Sequence, residues 1–195
     1  MTSSGTKVRV VGDGSFAATV RSAADRMGME VVEDETYHAM IFAPWDAAAM
    51  APVPFDELTD EQFGVAWQRT MDDAVAACVA ARSAFGDAGG AIVLTAPTTG
   101  MAGGARYAHW AAAAEGVHVL ARSVARQWGP EGIAVNVLAF SPDELGVDPA
   151  VAGPVSIATP ARPGASIDGA LRFLCSPDAA DVAGQTLTVD GGLWM

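Results

Sequence analysis

Ala91-Ile92-Val93-Leu94-Thr95 and, beyond a long helical stretch, Ile133-Ala134-Val135-Asn136-Val137-Leu138-Ala139 are two nearly unbroken apolar runs. Continuous runs of this length, without polar alternation, suit strands buried on both faces. Each is fenced by breakers: Gly86–Gly90 before the first, Gly129-Pro130 before the second. Between them, the spacing predicts a helix over about Ala105–Trp128, with Val117, Leu120, Ala121, Val124 and Trp128 on its buried stripe. Strand, helix, strand in this order reads as a crossover unit of a parallel sheet.

Working outward, the same alternation continues. Thr59 and Gln62 form a capping box, and a helix over about Asp60–Phe85 follows, with Phe63, Trp67, Met71, Val75 and Cys78 on one face. Lys7–Val11 is a strand ending in the turn Gly12-Asp13-Gly14. Ser15 is read as the cap of a helix over about Phe16–Met27, which Gly28 ends. Met29–Val32 and His38–Ala43 are further strand candidates, and Gln185–Val189 is the last. Pro44, Pro52 and Pro54 make Trp45–Leu58 a loop, Ser141–Gly164 is a long loop, and Ser166–Cys175 is a short helix. The fold class is therefore α/β, a three-layer Rossmann-like parallel sheet in one domain over residues 1–195. One feature does not fit: only about five residues separate Met29–Val32 from His38–Ala43, whereas adjacent parallel strands need about a dozen or more.

Composition limits the function. The chain has 195 residues, with 23 acidic and 11 basic side chains and a formal charge of −12. Such a surface repels phosphate backbones and anionic lipid, so neither nucleic acid nor a membrane is an expected partner. A cytoplasmic location is expected, with Cys78 and Cys175 as reduced core thiols. His38, His109 and His118 are scattered, and no metal site is expected. The one lysine is Lys7.

Glu131-Gly132-Ile133-Ala134-Val135-Asn136-Val137 resembles the short-chain dehydrogenase/reductase family. So does Ser176-Pro177-Asp178 followed by Val182-Ala183-Gly184-Gln185-Thr186-Leu187-Thr188-Val189-Asp190-Gly191-Gly192. The resemblance covers about residues 38–195. It implies hydride transfer between NAD(P) and a carbinol or carbonyl, with a glycine-rich turn, an NNAG motif, and a catalytic Asn, Ser, Tyr and Lys. An ammonium beside the tyrosine favours the phenolate, which makes it an acid–base group near neutral pH. Carried over by position, Asn falls on Thr70, Ser on Pro97, Tyr on Trp110 and Lys on Ala114, while NNAG falls on Phe42-Ala43-Pro44-Trp45. The tetrad positions are thus degenerate. Tyr107 remains as an alternative acid–base group, with Arg106 or His109 beside it.

Gly12-Asp13-Gly14-Ser15-Phe16-Ala17, with Glu33 further along, superficially fits a dinucleotide fingerprint. Phe16 would crowd a pyrophosphate, however, and the segment after Glu33 is short for the family, shortening the N-terminal half of the sheet. Gly12, Gly14 and Glu33 are weak cofactor-binding candidates, and no cofactor is expected on this chain. The leading expectation is a non-catalytic structural subunit of a hetero-oligomeric NAD(P)-dependent dehydrogenase, with hydroxyacyl-CoA-type substrates suggested by the family. NAD(P) would then sit in a catalytically intact partner subunit. Dimer or tetramer contacts are expected through helices 60–85 and 105–128, and Asp190–Met195 would reach toward the partner's active site. Ala74 and Ala113 are the positions where a charge is expected to break assembly. The alternatives are a divergent active oxidoreductase using Tyr107, or a ligand-sensing regulatory protein on the same fold.

Overall fold

The computed structural model describes residues 5–33, 35–147 and 166–193. The long loop expected at Ser141–Gly164 lies largely outside these residues, as do Asp148 and the last two positions of Asp190–Met195. Six parallel strands form one sheet: β1 (Lys7–Val11), β2 (Glu30–Val31), β3 (Ala39–Phe42), β4 (Gly90–Pro97), β5 (Ile133–Phe140) and β6 (Thr186–Val189). Their spatial order is β2-β1-β3-β4-β5-β6. β3 and β5 are buried at every position, and β4 at every position after Gly90, because helices cover both faces. α1 (Ser15–Arg26) and α6 (Asp168–Leu174) cover one face. α2 (Asp60–Trp67), α3 (Asp73–Phe85) and α5 (Ala108–Trp128) cover the other. α4 (Thr99–Ala102) is a single turn packed on α5.

The short link after β2 is explained by register. β2 pairs only with Lys7 and Val8 on one side of β1, and β3 begins opposite Val8 on the other. β2 therefore ends at the height where β3 starts. The chain steps sideways across β1 with no need to return along the sheet, so no crossover helix is required. The Val32 amide donates to the Val8 carbonyl, and the His38 amide to that of Lys7, stitching the link in place.

The helix over Asp60–Phe85 is continuous but not uniform. A π-turn over Gln68–Asp72 separates α2 from α3, and the Thr59–Gln62 capping box starts it as expected. The stripe read from sequence is corrected on both sides of the π-turn, starting before it at Phe63 and Trp67. Ala66, Thr70, Ala74, Ala77, Cys78 and Ala81 face the interior. Phe63, Trp67 and Val75 are exposed, together with Val65 and Val79. Small side chains let the helix sit close to the sheet, and the bulky ones point outward. In α5 the stripe holds: Val117, Ala121 and Trp128 are buried, and Leu120 and Val124 partly so. Its start is corrected from Ala105 to Ala108, with Tyr107 at the N-cap.

Ser15 is not the cap of α1. Gly14 takes that position without any side-chain bond, and the Ser15 hydroxyl instead accepts from the Ala47 amide at 3.1 Å. Asn136, buried on β5, donates to the Val182 carbonyl and accepts from the Gln185 amide at 3.0 Å, so it holds β6 in register. Arg26 and Asp168 form a two-pronged ion pair at 2.8 Å that ties α1 to α6. Both cysteines are free and buried, and burial pushes each thiol up to about 12. Among the described residues, no helix is long and apolar enough to cross a membrane.

Candidate active site at the carboxyl end of the sheet

In an open parallel sheet, ligands bind beyond the carboxyl ends of the strands, where the strand order reverses. Here that point lies between β1 and β3. Four segments leave the carboxyl ends of neighbouring strands on this side: Gly12–Gly14 after β1, Ala43–Asp46 after β3, the turn after Pro97, and Ser141–Gly146 after β5. The Val53 amide donates to the Arg106 carbonyl at 2.7 Å, joining the loop after β3 to the one before α5.

The crevice is filled by aromatic rings. Phe16 and Phe140 stack at 3.7 Å with planes 14° apart. Trp45 is 1% exposed, and its indole N–H donates to the Thr95 carbonyl at 2.8 Å. Trp110 meets Trp45 edge-on at 6.4 Å, and His109 lies 5.8 Å from Trp110. Trp45 stands at the last position of the NNAG match, whereas nothing in the sequence marked Phe140 as a cleft residue. The signal available for Phe140 was its position at the end of a buried strand.

The sequence-matched positions converge only in part. Pro97 is the last residue of β4, paired with Phe140. Trp110 and Ala114 lie in the first two turns of α5, both buried. Thr70 sits in the π-turn that packs on α5, and it is fully buried with no partner for its hydroxyl. Trp110 Nε1, His109 Nδ1 and Thr99 Oγ1 are likewise buried without partners. This end of the molecule therefore holds several polar atoms that its own side chains leave unmatched. Burial pushes His109 below its ordinary value, which keeps the ring neutral.

Tyr107 is buried at the N-cap of α5, and Arg106 before it is the only described non-glycine residue with positive φ, at 69°. A side chain held in the left-handed region is strained, and strain of that kind collects at functional turns. Tyr107 is also the one tyrosine at this end. Tyr37 precedes β3 at the opposite, amino end of the sheet, where it packs on Phe85 at 5.5 Å. Lys7 begins β1, also at the amino end of the sheet, and is paired with Glu35.

The cofactor candidates do not come together as a fingerprint. Glu33 is exposed just past β2, which pairs with β1 no further than Val8, and its carbonyl is taken by the Arg9 guanidinium. Gly12 and Gly14 do sit at the helix start, but the space a Cβ would fill is already taken. At Gly12 it would strike the Ala43 carbonyl, and at Gly14 that of Trp45. The first amides of α1 are also used, Ser15 N donating to Asp46 Oδ2 at 3.0 Å and Phe16 N to the Trp45 carbonyl at 3.1 Å. In this arrangement the residues present do not fit a dinucleotide.

The family described as enoyl-(acyl carrier protein) reductase matches residues 34–194. The chain thus belongs to the short-chain dehydrogenase/reductase family. It is 35% identical over 123 residues to the 3-oxoacyl-[acyl-carrier-protein] reductase MabA of Mycobacterium avium, covering 60% of this chain and 48% of that protein. It is 29% identical over 202 residues to the hydroxyacyl-CoA dehydrogenase ChsB1 of Mycobacterium tuberculosis, covering 94% of this chain and 60% of that one. The chain spans about half the length of the curated relatives it matches. Among solved structures, the TT0495 protein of Thermus thermophilus superposes with a TM-score of 0.74 at 19% identity, over 95% of this chain and 98% of that one. That likeness concerns the fold. The expectation of a non-catalytic structural subunit is overturned by these relatives, which are named as reductases and dehydrogenases; nothing among them points to a structural subunit.

Proposed function

We propose that this protein is a divergent oxidoreductase that interconverts a ketone and an alcohol on an acyl thioester. The observation that carries the reading is the likeness to relatives named as acting on acyl-carrier-protein and acyl-CoA substrates, one of them aligned over nearly the whole chain. The redox partner in this reading is a nicotinamide dinucleotide, whose place is closed in the arrangement described.

The family's tetrad is lost in this reading, with Thr70, Pro97, Trp110 and Ala114 standing at its positions. Neither proline nor alanine can give or take a proton, and an indole N–H only donates. The acid–base role then falls to Tyr107, supported by its strained approach through Arg106 and its place at the carboxyl end of the sheet. With Lys7 paired to Glu35 at the amino end of the sheet, Arg106 is the adjacent cation in sequence. The working unit is expected to assemble through α2, α3 and α5.

The test is consumption of NADH or NADPH by the purified chain against a panel of 3-oxoacyl thioesters. Turnover is expected, with Tyr107→Phe lowering it by about 100-fold or more, the range for removing a general acid. A folded protein inert toward every thioester and both dinucleotides overturns the reading. Turnover unchanged in Tyr107→Phe removes Tyr107 from it.

A further inference from the structure

The sheet has an edge that its own strands do not finish. In a parallel pair, alternate residues of a strand point their backbone groups at the same neighbour. On β1 the carbonyls of Lys7 and Val11 accept from the His38 and Ala43 amides, toward β3. Those of Thr6 and Val8 accept from the Glu30 and Val32 amides, toward β2. Val10 and Gly12 come next in the row that faces β2. β2 stops at Val31, however, and its register reaches no further along β1 than Val8. Beyond Val8, β1 therefore has β3 on one side and no strand among the described residues on the other.

Two arginines meet this edge from opposite faces. Val8 and Val10 are buried on the α1 side of the sheet, so Arg9 between them points to the other side. Its guanidinium donates to the Glu33 carbonyl just past β2 and fastens the chain where it leaves the ladder. Arg21 comes from α1 and is half-buried. One terminal nitrogen of its guanidinium donates to the Val10 carbonyl at 3.3 Å and to the Gly12 carbonyl at 3.1 Å. That nitrogen carries two N–H groups, one for each acceptor. Arg21 thus supplies to β1 what the amides of a longer neighbouring strand would supply.

An open row of strand groups is a template for another chain, and proteins blunt such edges with short strands and charge. We infer that the edge of β1 from Arg9 to Gly12 is a strand-pairing surface that fits a second copy of this chain, and that Arg21 keeps it closed. A second copy is the occupant because two identical edges meet antiparallel about a two-fold axis with the same residues on both sides. Each copy brings its own guanidinium to that contact. Arg21 therefore occupies the acceptors and also sets like charges against each other. The edge lies at the rim of the sheet, apart from the exposed apolar side chains of α2, α3 and α5. Pairing there would join units assembled through those helices into larger particles, which is what the closed edge prevents.

The experiment is size exclusion with light scattering over a concentration series of the full chain. Amide exchange is read alongside at Val10, whose N–H faces the same edge as its carbonyl. Arg21→Met keeps the aliphatic stem and removes both the donors and the charge. At the highest concentration its mass is expected to be about twofold or more that of the unaltered chain, with slower exchange at Val10 in the assembled form. Arg21→Lys keeps a charged donor at the edge and is expected to match the unaltered chain. Should Arg21→Met fail to fold, Arg21→Gln takes its place with the same expected outcome, since its side chain is polar but too short to span both carbonyls. A folded variant without the guanidinium that keeps the unaltered mass at every concentration overturns the inference. So does an assembly in which Val10 exchanges faster, because it then forms through opened chains and not through the edge. An unaltered chain whose Val10 amide becomes protected on concentration overturns it too, because the edge would then pair with Arg21 in place.

Discussion

His118 shows how one side chain on α5 answers to its surroundings. Its Nδ1 shares a hydrogen bond with Thr186 Oγ1 at 2.9 Å, linking the helix to β6, and its Nε2 is buried without a partner. Burial is the largest influence and lowers its proton affinity; Glu115 opposes this, and Arg122 adds to it. His109 is lowered by burial in the same direction. A histidine whose folded value is depressed contributes its full stability above its ordinary value near 6.5. That contribution is lost as pH falls below it, because the unfolded chain then binds the proton more readily. The melting temperature is expected to drop by a few degrees between about pH 7 and about pH 5.5. His118→Asn should flatten part of that slope and leave the share due to His109. Asp46 and Asp168 are held low by their hydrogen bonds, so their loss comes at more acidic pH. Thermal scans across the pH series check this, and a slope identical in His118→Asn would show that the ring carries none of it.

At the scale of the element, the helix from Thr59 to Phe85 separates folding from exposure. Ala74 lies against the interior with no exposed surface, whereas Val79 is 54% exposed on the same helix. A charge at Ala74 would be buried without a partner, and Ala74→Asp is expected to cost several kcal/mol of folding stability. Val79→Asp is expected to stay within about 0.5 kcal/mol. Urea titrations compare the two. Similar losses would mean that Ala74 does not face inward and Val79 outward on α3. Ala113 on α5 is buried like Ala74. Neither position can report on assembly, contrary to the expectation from sequence.

For the whole molecule, the outward face matters. Phe63, Val65, Trp67, Val75 and Val79 on α2 and α3, with Val119 on α5, are large apolar side chains left exposed on neighbouring helices. Monomeric proteins seldom leave a patch of this kind uncovered. A second copy meeting it face to face would bury on the order of 1,600 Å² or more. Light scattering after size exclusion is expected to give a dimer or larger, and Val79→Asp with Val119→Asp to give a monomer with an unchanged circular dichroism spectrum. A monomeric unaltered chain would remove this face as an interface.

The sequence by itself determined the layered α/β fold and the ends of most elements. Its signals there are local: two apolar runs at Ala91–Thr95 and Ile133–Ala139, the Thr59–Gln62 box, and breakers such as Gly129-Pro130. Its motifs also carried the family. It could not decide which face of the Asp60–Phe85 helix turns inward, because bulky apolar and small side chains stand on adjacent faces and only packing selects between them: before the π-turn is reached, Ala66 is already buried while Phe63 and Trp67 are exposed. Nor could it decide how β2 reaches β3, since that depends on the height at which each strand pairs with β1. The glycines of the first turn looked like cofactor residues because their spacing permits close approach. Only the tertiary structure decided what approaches them, since Asp46 lies 31 residues from Ser15 in the chain and reaches it through the register of β1 with β3.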